Sequence, residues 1–305
     1  YHQAKRIRKE IEAAYEGIAF HIQDAKRYPG TGGAMKGIKT RYERTLILNG
    51  DMPLVTRSSL EALTKGDAEI NMSVITLKNP SGYGRVIIEE GKVKEIIEQK
   101  DCTPAQLSIK SVNAGVYAVS SELLDRYIPK LSNNNAQSEY YLTDIIKMAA
   151  KEEKTIHPVF VEEEEFKGVN SKLDLALAEE IMQTRIRNHW MREGVIMRLP
   201  QTIFIDARAT FEGECILESG VSIHGASILK EAHIKAHSVI EDSVIKESSV
   251  GPMGRVRPGS FLEHTHIGNF VEVKKSTLSG VKAGHLAYLG DATIDTGTNI
   301  GAGTI

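Results

Sequence analysis

The sequence predicts an α/β layer followed by a parallel β-helix, and three observations carry that reading. Short β-rich runs alternate with helical stretches as far as about Lys172. Leucines and isoleucines then recur at helical spacing, and after Pro200 the apolar residues return at steps of six. The 305 residues allow about two domains at roughly 150 each. The changes of period set the expected boundaries: residues 1–170 as the α/β unit, 171–198 as a connecting helix, 199–305 as the β-helix.

In the first unit, residues 44–48 (RTLIL) read as a buried strand running into the turn Asn49-Gly50-Asp51. Residues 72–78 and 85–88 are further strands, separated by Asn79-Pro80-Ser81-Gly82, and 18–22 is strand-like. Leucine spacing predicts helices over 59–65 and 121–131. Such alternation predicts a mostly parallel sheet, whose ligands bind beyond the carboxyl ends of the strands. Leu173, Leu177, Ile181 and Met182 mark the connecting helix, with Ser171 as its cap and Gly194 as its stop.

The six-step series runs through Ile205, Phe211, Leu217, Ile223, Ile228, Ile234 and Ile240. It resumes with Val250, Val256, Leu262, Ile267, Val273, Ile294 and Ile300. That period fits neither a helix nor a two-stranded ladder, but suits β-helix sides that each turn one aliphatic residue inward. About 18 residues per coil predict roughly six coils, with small residues at the corners.

Composition excludes other classes. Lys plus Arg total 38 against 40 for Asp plus Glu, a net charge of -2, which argues against a general nucleic-acid binder. No apolar run approaches the roughly 18 residues of a membrane span. Cys102 and Cys215 lie far apart, without metal-ligand spacing, and no signal-peptide pattern opens the chain. The expected location is the reducing cytoplasm.

Individually, the chemical motifs are weak. The loop Tyr28-Pro29-Gly30-Thr31-Gly32-Gly33 lets backbone N–H groups approach a base or phosphate, or is a plain turn. Asp51, just past a buried strand, can hold Mg²⁺ against a nucleotide, or merely cap a turn. Asn170 offers a second oxygen, and the acidic run 162–165 reads as a solvated loop. His233, His237, His264 and His266 lie close enough in pairs to suggest metal ligands. No acidic partner stands at a supporting spacing, so they stay unassigned.

Taken in order, the segments Gly30-Thr31-Gly32, Asn49-Gly50-Asp51, Ser81-Gly82-Tyr83-Gly84-Arg85, Glu98 with Lys100-Asp101, Asn113-Ala114-Gly115, 133–141 and Gly168-Val169-Asn170 form a pattern. Arg255-Val256-Arg257-Pro258-Gly259, 268–275, 283–291 and 299–304 continue it. The whole resembles the bacterial family of bifunctional N-acetylglucosamine-1-phosphate uridyltransferases/glucosamine-1-phosphate N-acetyltransferases. The resemblance implies a Rossmann-like nucleotidyltransferase domain and a left-handed parallel β-helix of hexapeptide repeats. It also implies UDP-N-acetylglucosamine diphosphorylase and glucosamine-1-phosphate N-acetyltransferase activities.

By the same resemblance Gln23, Gly30 and Thr31 contact uracil, Gly84, Glu98 and Asn113 line the sugar pocket, and Asp51 and Asn170 hold Mg²⁺. His285 is the general base toward acetyl-CoA, and Glu272 orients or polarises that site. Arg257 and Lys274 grip the sugar phosphate, Tyr288 and Asn299 orient the substrate, and Ala302 lies along the acetyl-CoA path. UTP and acetyl-CoA are the co-substrates, with glucosamine-1-phosphate and N-acetylglucosamine-1-phosphate as acceptors. The family implies a homotrimer feeding peptidoglycan and lipopolysaccharide synthesis. Its opening phosphate-cradling segment, roughly 70 residues, and its later coils have no counterpart here, so the expectation is a fragment with two partial sites. Three other readings compete: a one-activity sugar nucleotidyltransferase with the β-helix for assembly, a trimeric zinc hydratase, and a pure scaffold.

Overall fold

The computed structural model describes residues 3–97, 99–135 and 137–305. They form two compact units, divided between Asp174 and Leu175. In the first unit six strands make one sheet: β1 (Arg44–Ile47), β2 (Ile70–Thr76), β3 (Arg85–Glu89), β4 (Lys92–Ile97), β5 (Ser111–Ser120) and β6 (Ile156–Phe160). Their order is β4-β3-β5-β2-β6, with β1 also paired to β5. Successive side chains on a strand point to opposite faces, and β5 shows it: Val112, Ala114, Val116 and Ala118 join Leu63 and Phe166 in one core. Tyr117 and Val119 join Leu124, Ile145 and Ile146 in the other. Helices therefore cover both faces, as the α/β pattern requires.

The sheet is not mostly parallel. Only β2 and β6 run parallel, whereas β1–β5, β2–β5, β3–β4 and β3–β5 are antiparallel. Glu90 and Gly91 explain part of this, since both have positive φ (49° and 73°) and close β3 onto β4 as a two-residue hairpin. A parallel return needs a connection of a dozen residues or more. Residues 18–22 form no strand either. Ile18 and Ile22 are exposed, and without a paired neighbour their β-branched side chains have no pleated surface to pack on.

The second unit is a parallel β-solenoid of three sheets, with seven, six and six strands. Beyond the first coil, where Phe204↔Ser222 and Thr210↔Ile228 stand 18 residues apart, stacked partners are only 16 or 17 apart, as in His233↔Ser249, Ser249↔His266, His266↔Lys282 and Lys282↔Asn299. The inward series accordingly mixes steps of five and six. Leu229 rather than Ile228 is interior: Leu229 aligns with Phe211 and Ile245, while Ile228 is 43% exposed. Ile245, Leu278, Ala283 and Leu289 complete the core.

The corners explain the shorter coil. Glu231, His237, Asp242, Glu247, Met253, His264, Leu286 and Asp291 all adopt left-handed φ between 38° and 58°. Each donates its backbone N–H to a carbonyl one coil earlier, such as Glu231 to Glu212 (2.9 Å), Asp242 to His224 (3.1 Å) and Asp291 to Lys274 (2.9 Å). A non-glycine residue in that conformation costs about 1–2 kcal/mol. The inter-coil hydrogen bond it completes would otherwise leave two backbone groups unpaired.

Helix Lys172–Arg192 closes the first coil. Ile186 and Trp190 pack against the solenoid core, and the Trp190 and Phe211 rings meet edge-on at 4.9 Å. Gln183 is 8% exposed, and its side-chain amide substitutes for a further strand. Its Nε2 donates to the Ile205 carbonyl (2.9 Å), and its Oε1 accepts from the Ile205 N–H (3.0 Å). Arg187 Nη1 donates to the Ile203 carbonyl (3.2 Å). The predicted connector is thus built into the second unit.

Candidate functional sites

The first site is a cleft of about 260 Å³ beyond the end of β1, lined by Asn49, Asp51, Tyr83, Asn113, Lys167 and Asn170 among others. Asp51 and Asn170 meet around Gly168. A Cβ on that glycine would stand 2.8 Å from Asp51 Oδ2 and 3.5 Å from Asn170 Nδ2, so nothing larger leaves the pair together. The Asp51 carbonyl also accepts from the Val169 N–H at 2.8 Å, which fixes the approach of this segment. A carboxylate and an amide oxygen are hard donors of the kind a divalent cation such as Mg²⁺ takes, with phosphates and water completing its shell. The residues fit the ion.

Asn113 stands in the same cleft. Its Nδ2 donates to the Tyr117 hydroxyl (2.7 Å), and its Oδ1 accepts from the Gly115 N–H (3.0 Å). Gly84 is next to the lining residue Tyr83 but does not itself line the cleft. Glu98 lies outside the described residues.

The glycine loop is held by the protein itself. Gln23 Nε2 donates to the carbonyls of Tyr28 (2.8 Å) and Gly30 (2.9 Å), so its amide N–H groups are already used. Gly32 N–H donates to the Tyr140 carbonyl (2.8 Å), Tyr140 N–H to the Pro29 carbonyl (2.9 Å), and Leu142 N–H to Thr31 Oγ1 (3.2 Å). A Cβ on Gly30 would stand 2.6 Å from the Tyr140 carbonyl. Packing against the segment around Tyr140 therefore requires these glycines whether or not a ligand approaches. None of Gln23, Gly30 and Thr31 lines the Asp51 cleft.

The second set gathers at one edge of the solenoid. His285 ends strand Lys282–His285 opposite Asn269. Across the next corner, Tyr288 stacks on Glu272. Ala302 occupies the same corner one coil on, where the Gly303 N–H donates to the Leu286 carbonyl (2.7 Å). Asn299 begins the following strand, aligned with Lys282 rather than with the corner. Arg257 Nη1 meets Glu272 Oε1 at 2.9 Å, and Lys274 Nζ meets Asp291 Oδ2 at 3.3 Å. Both candidate phosphate-binding cations thus carry a carboxylate partner that an incoming anion must displace or share. Asn269 and Asp291 went unassigned in the sequence. They belong to quoted motifs, but only coil stacking shows what each faces.

Stacking also revises the histidines. Acidic partners absent by spacing arrive from the coil below: Glu218 for His233 (2.9 Å) and Glu247 for His264 (3.4 Å). Among the described residues no three His, Cys, Asp or Glu side chains converge as metal ligands. His266 takes a different partner, its Nδ1 lying 2.7 Å from Ser249 Oγ. Burial, and then the positive charges of Lys235 and Lys282 and neighbouring His285, hold its pKa below the ordinary histidine value. The unfolded chain therefore takes up this proton first, and the contribution fades as pH falls through about 6.5. Replacing His266 with Asn is expected to flatten the drop in urea midpoint between pH 7 and 5. An unchanged slope would assign that drop to other groups.

An acid-and-amide cleft on an α/β sheet, and ion-paired cations at a solenoid edge that also carries His285, make two separate candidate sites, one on each unit. No family model matches the chain. It is 72% identical over all 305 residues to the bifunctional protein GlmU of Sulfurovum sp., and 56% identical to that of Nitratiruptor sp., covering 71% of each. Against GlmU of Wolinella succinogenes the identity is 55%, again over 71% of its length. The chain belongs to the bifunctional GlmU family. Among solved structures, the inositol-1-phosphate CTP transferase of T. maritima aligns over 44% of this chain and 52% of its own, with a TM-score of 0.35 and 13% identity. That likeness is too distant to carry an argument.

Proposed function

We infer that this protein makes UDP-N-acetylglucosamine by two successive transfers, one on each unit. The 72% identity to a bifunctional relative across every residue of the chain carries the reading. In the first transfer the amine of glucosamine-1-phosphate attacks the thioester carbonyl of acetyl-CoA. His285 takes the amine proton, the C–S bond breaks and coenzyme A leaves as the thiol. Glu272 orients the site, Arg257 and Lys274 hold the sugar phosphate, Tyr288 and Asn299 hold the sugar, and Ala302 leaves room for the donor.

In the second transfer a phosphate oxygen of N-acetylglucosamine-1-phosphate attacks the α-phosphorus of UTP, and the bond to pyrophosphate breaks. Catalysis of this kind is mostly positioning and charge neutralisation. Asp51 and Asn170 would hold Mg²⁺, which supplies neutralisation of the phosphate charge. By the resemblance Asn113, Gly84 and Glu98 read the sugar, and Gly30 and Thr31 the base; Asn113 is the one of the first two that lines the cleft, and Glu98 lies outside the described residues. Gln23 acts on the base through the loop it braces, because its N–H groups are bonded to that loop.

Among the described residues no helix is long and apolar enough to cross a membrane. Work in the cytoplasm is proposed from membership of the family alone. The homotrimer implied by the family is checked by light scattering. The deciding test gives the full-length protein glucosamine-1-phosphate, acetyl-CoA, UTP and Mg²⁺, with products read by mass spectrometry. UDP-N-acetylglucosamine is expected from wild type, and only N-acetylglucosamine-1-phosphate from Asp51→Ala. Wild type that forms no acetylated sugar would reduce the solenoid to a scaffold.

A further inference from the structure

Arg85 is buried at the start of β3, only 2% exposed. Arg126, Arg187, Arg255 and Arg257 each meet a glutamate, but among the described residues Arg85 meets none. Its Nη1 donates to the Tyr83 carbonyl, while its Nε finds no acceptor among the described residues. A cation withdrawn from water without a counter-charge, and with an unfilled donor, opposes folding. Its retention calls for a reason outside stability.

The location supplies one. Tyr83, whose carbonyl Arg85 holds, lines the Asp51 cleft. Arg85 is also aligned with Val112, and the next residue, Asn113, lines the cleft from the other side. The buried guanidinium thus holds the backbone of one lining residue, Tyr83, while its own strand pairs beside another, Asn113. Apart from Arg85, the turn at 81–84 is held by an N–H of Tyr83 to the Pro80 carbonyl (3.2 Å), by the Asn79 side chain to Ser81 (3.2 Å) and by Gln99 to the Gly82 N–H (2.5 Å). The bonds at Ser81 and Gly82 are exposed, whereas the Arg85 tie is half-buried and comes from a side chain that is itself buried.

We propose that Arg85 is a positioning residue of the uridyl-transfer cleft, fixing the Tyr83–Gly84 turn against which the acceptor sugar phosphate seats. This role rests on the uridyl-transfer reading given above. It does not require the guanidinium to touch substrate. Holding the turn in its productive place reduces the ordering that binding must impose, so the effect falls on acceptor affinity more than on turnover.

The test compares Arg85→Lys, Arg85→Gln and Arg85→Met with wild type in the full-length protein. KM and kcat are measured for N-acetylglucosamine-1-phosphate and for UTP, alongside thermal midpoints. Acetyl transfer by the same molecules serves as an internal control from the other unit. Arg85→Met is expected to raise KM for the sugar phosphate about tenfold, with KM for UTP and acetyl transfer unchanged. Arg85→Lys restores most of the affinity, because an ammonium still reaches a carbonyl, and Arg85→Gln lies between. An unchanged sugar-phosphate KM in Arg85→Met overturns the role. So does a loss of activity that only follows the folded fraction, with no change in KM among the molecules that remain folded. Wild type that acetylates but forms no UDP-sugar fails the uridyl-transfer reading itself, a result separate from either.

Discussion

Replacing His285 with Ala is expected to lower kcat for acetyl transfer about 10²- to 10⁴-fold, the usual worth of a positioned general base. Uridyl transfer in the same protein should be unaffected, since Asp51 and its cleft lie in the other unit. The amine must lose a proton as it attacks, and without the imidazole only water can take it. Steady-state assays with preformed N-acetylglucosamine-1-phosphate separate the two activities. Retention of more than a tenth of the acetylation rate would move the base elsewhere, with Glu272 the next group to replace.

The second large effect concerns the end of the solenoid. Gln183→Leu keeps much of the side-chain volume but leaves the N–H and C=O of Ile205 without partners in a buried place. Each such group carries a penalty of about 1–3 kcal/mol, so the expected loss for the two is about 2–6 kcal/mol. Urea unfolding should show it as a lower midpoint for the transition of the second unit. Asp51-dependent chemistry measured below that midpoint should survive. A loss under about 1 kcal/mol would mean that water reaches Ile205 once the amide is gone.

Much of the solenoid was legible because its code is local. One inward aliphatic residue per side announces the architecture, and Ile205, Leu217, Ile223 and Ile234 fall where that code puts them. The exact winding was not. Whether Ile228 or Leu229 turns inward depends on where a left-handed corner shortens the side, and Glu231 carries no propensity that reveals it. In the first unit, strand positions near Arg44, Met72 and Arg85 followed from composition, but the direction of β3 against β4 came from the Glu90-Gly91 hairpin, an untypical pair for such a turn.

The sites divide in the same way. Asp51 and Asn170 are far apart in the chain, yet both belong to motifs, and the resemblance named both. The Gln23 braces, the acid partners of His233 and His264, and the isolation of Arg85 depend on neighbours brought by folding. No spacing rule encodes them.

The near-identity of the coils has a consequence for how the chain finds its shape. A solenoid displaced by one whole coil would still set aliphatic on aliphatic inside, and would still match the corner hydroxyls of Ser227, Ser243, Ser260 and Ser276. Its misthreaded forms differ little in buried surface, so hydrophobic burial cannot choose among them. The choice falls to features that occur once: the Gln183 amide that accepts only Ile205, the Trp190–Phe211 contact, and the Arg257–Glu272 pair. Helix Lys172–Arg192 then acts as a starting block for winding, and errors should collect in the coils furthest from it.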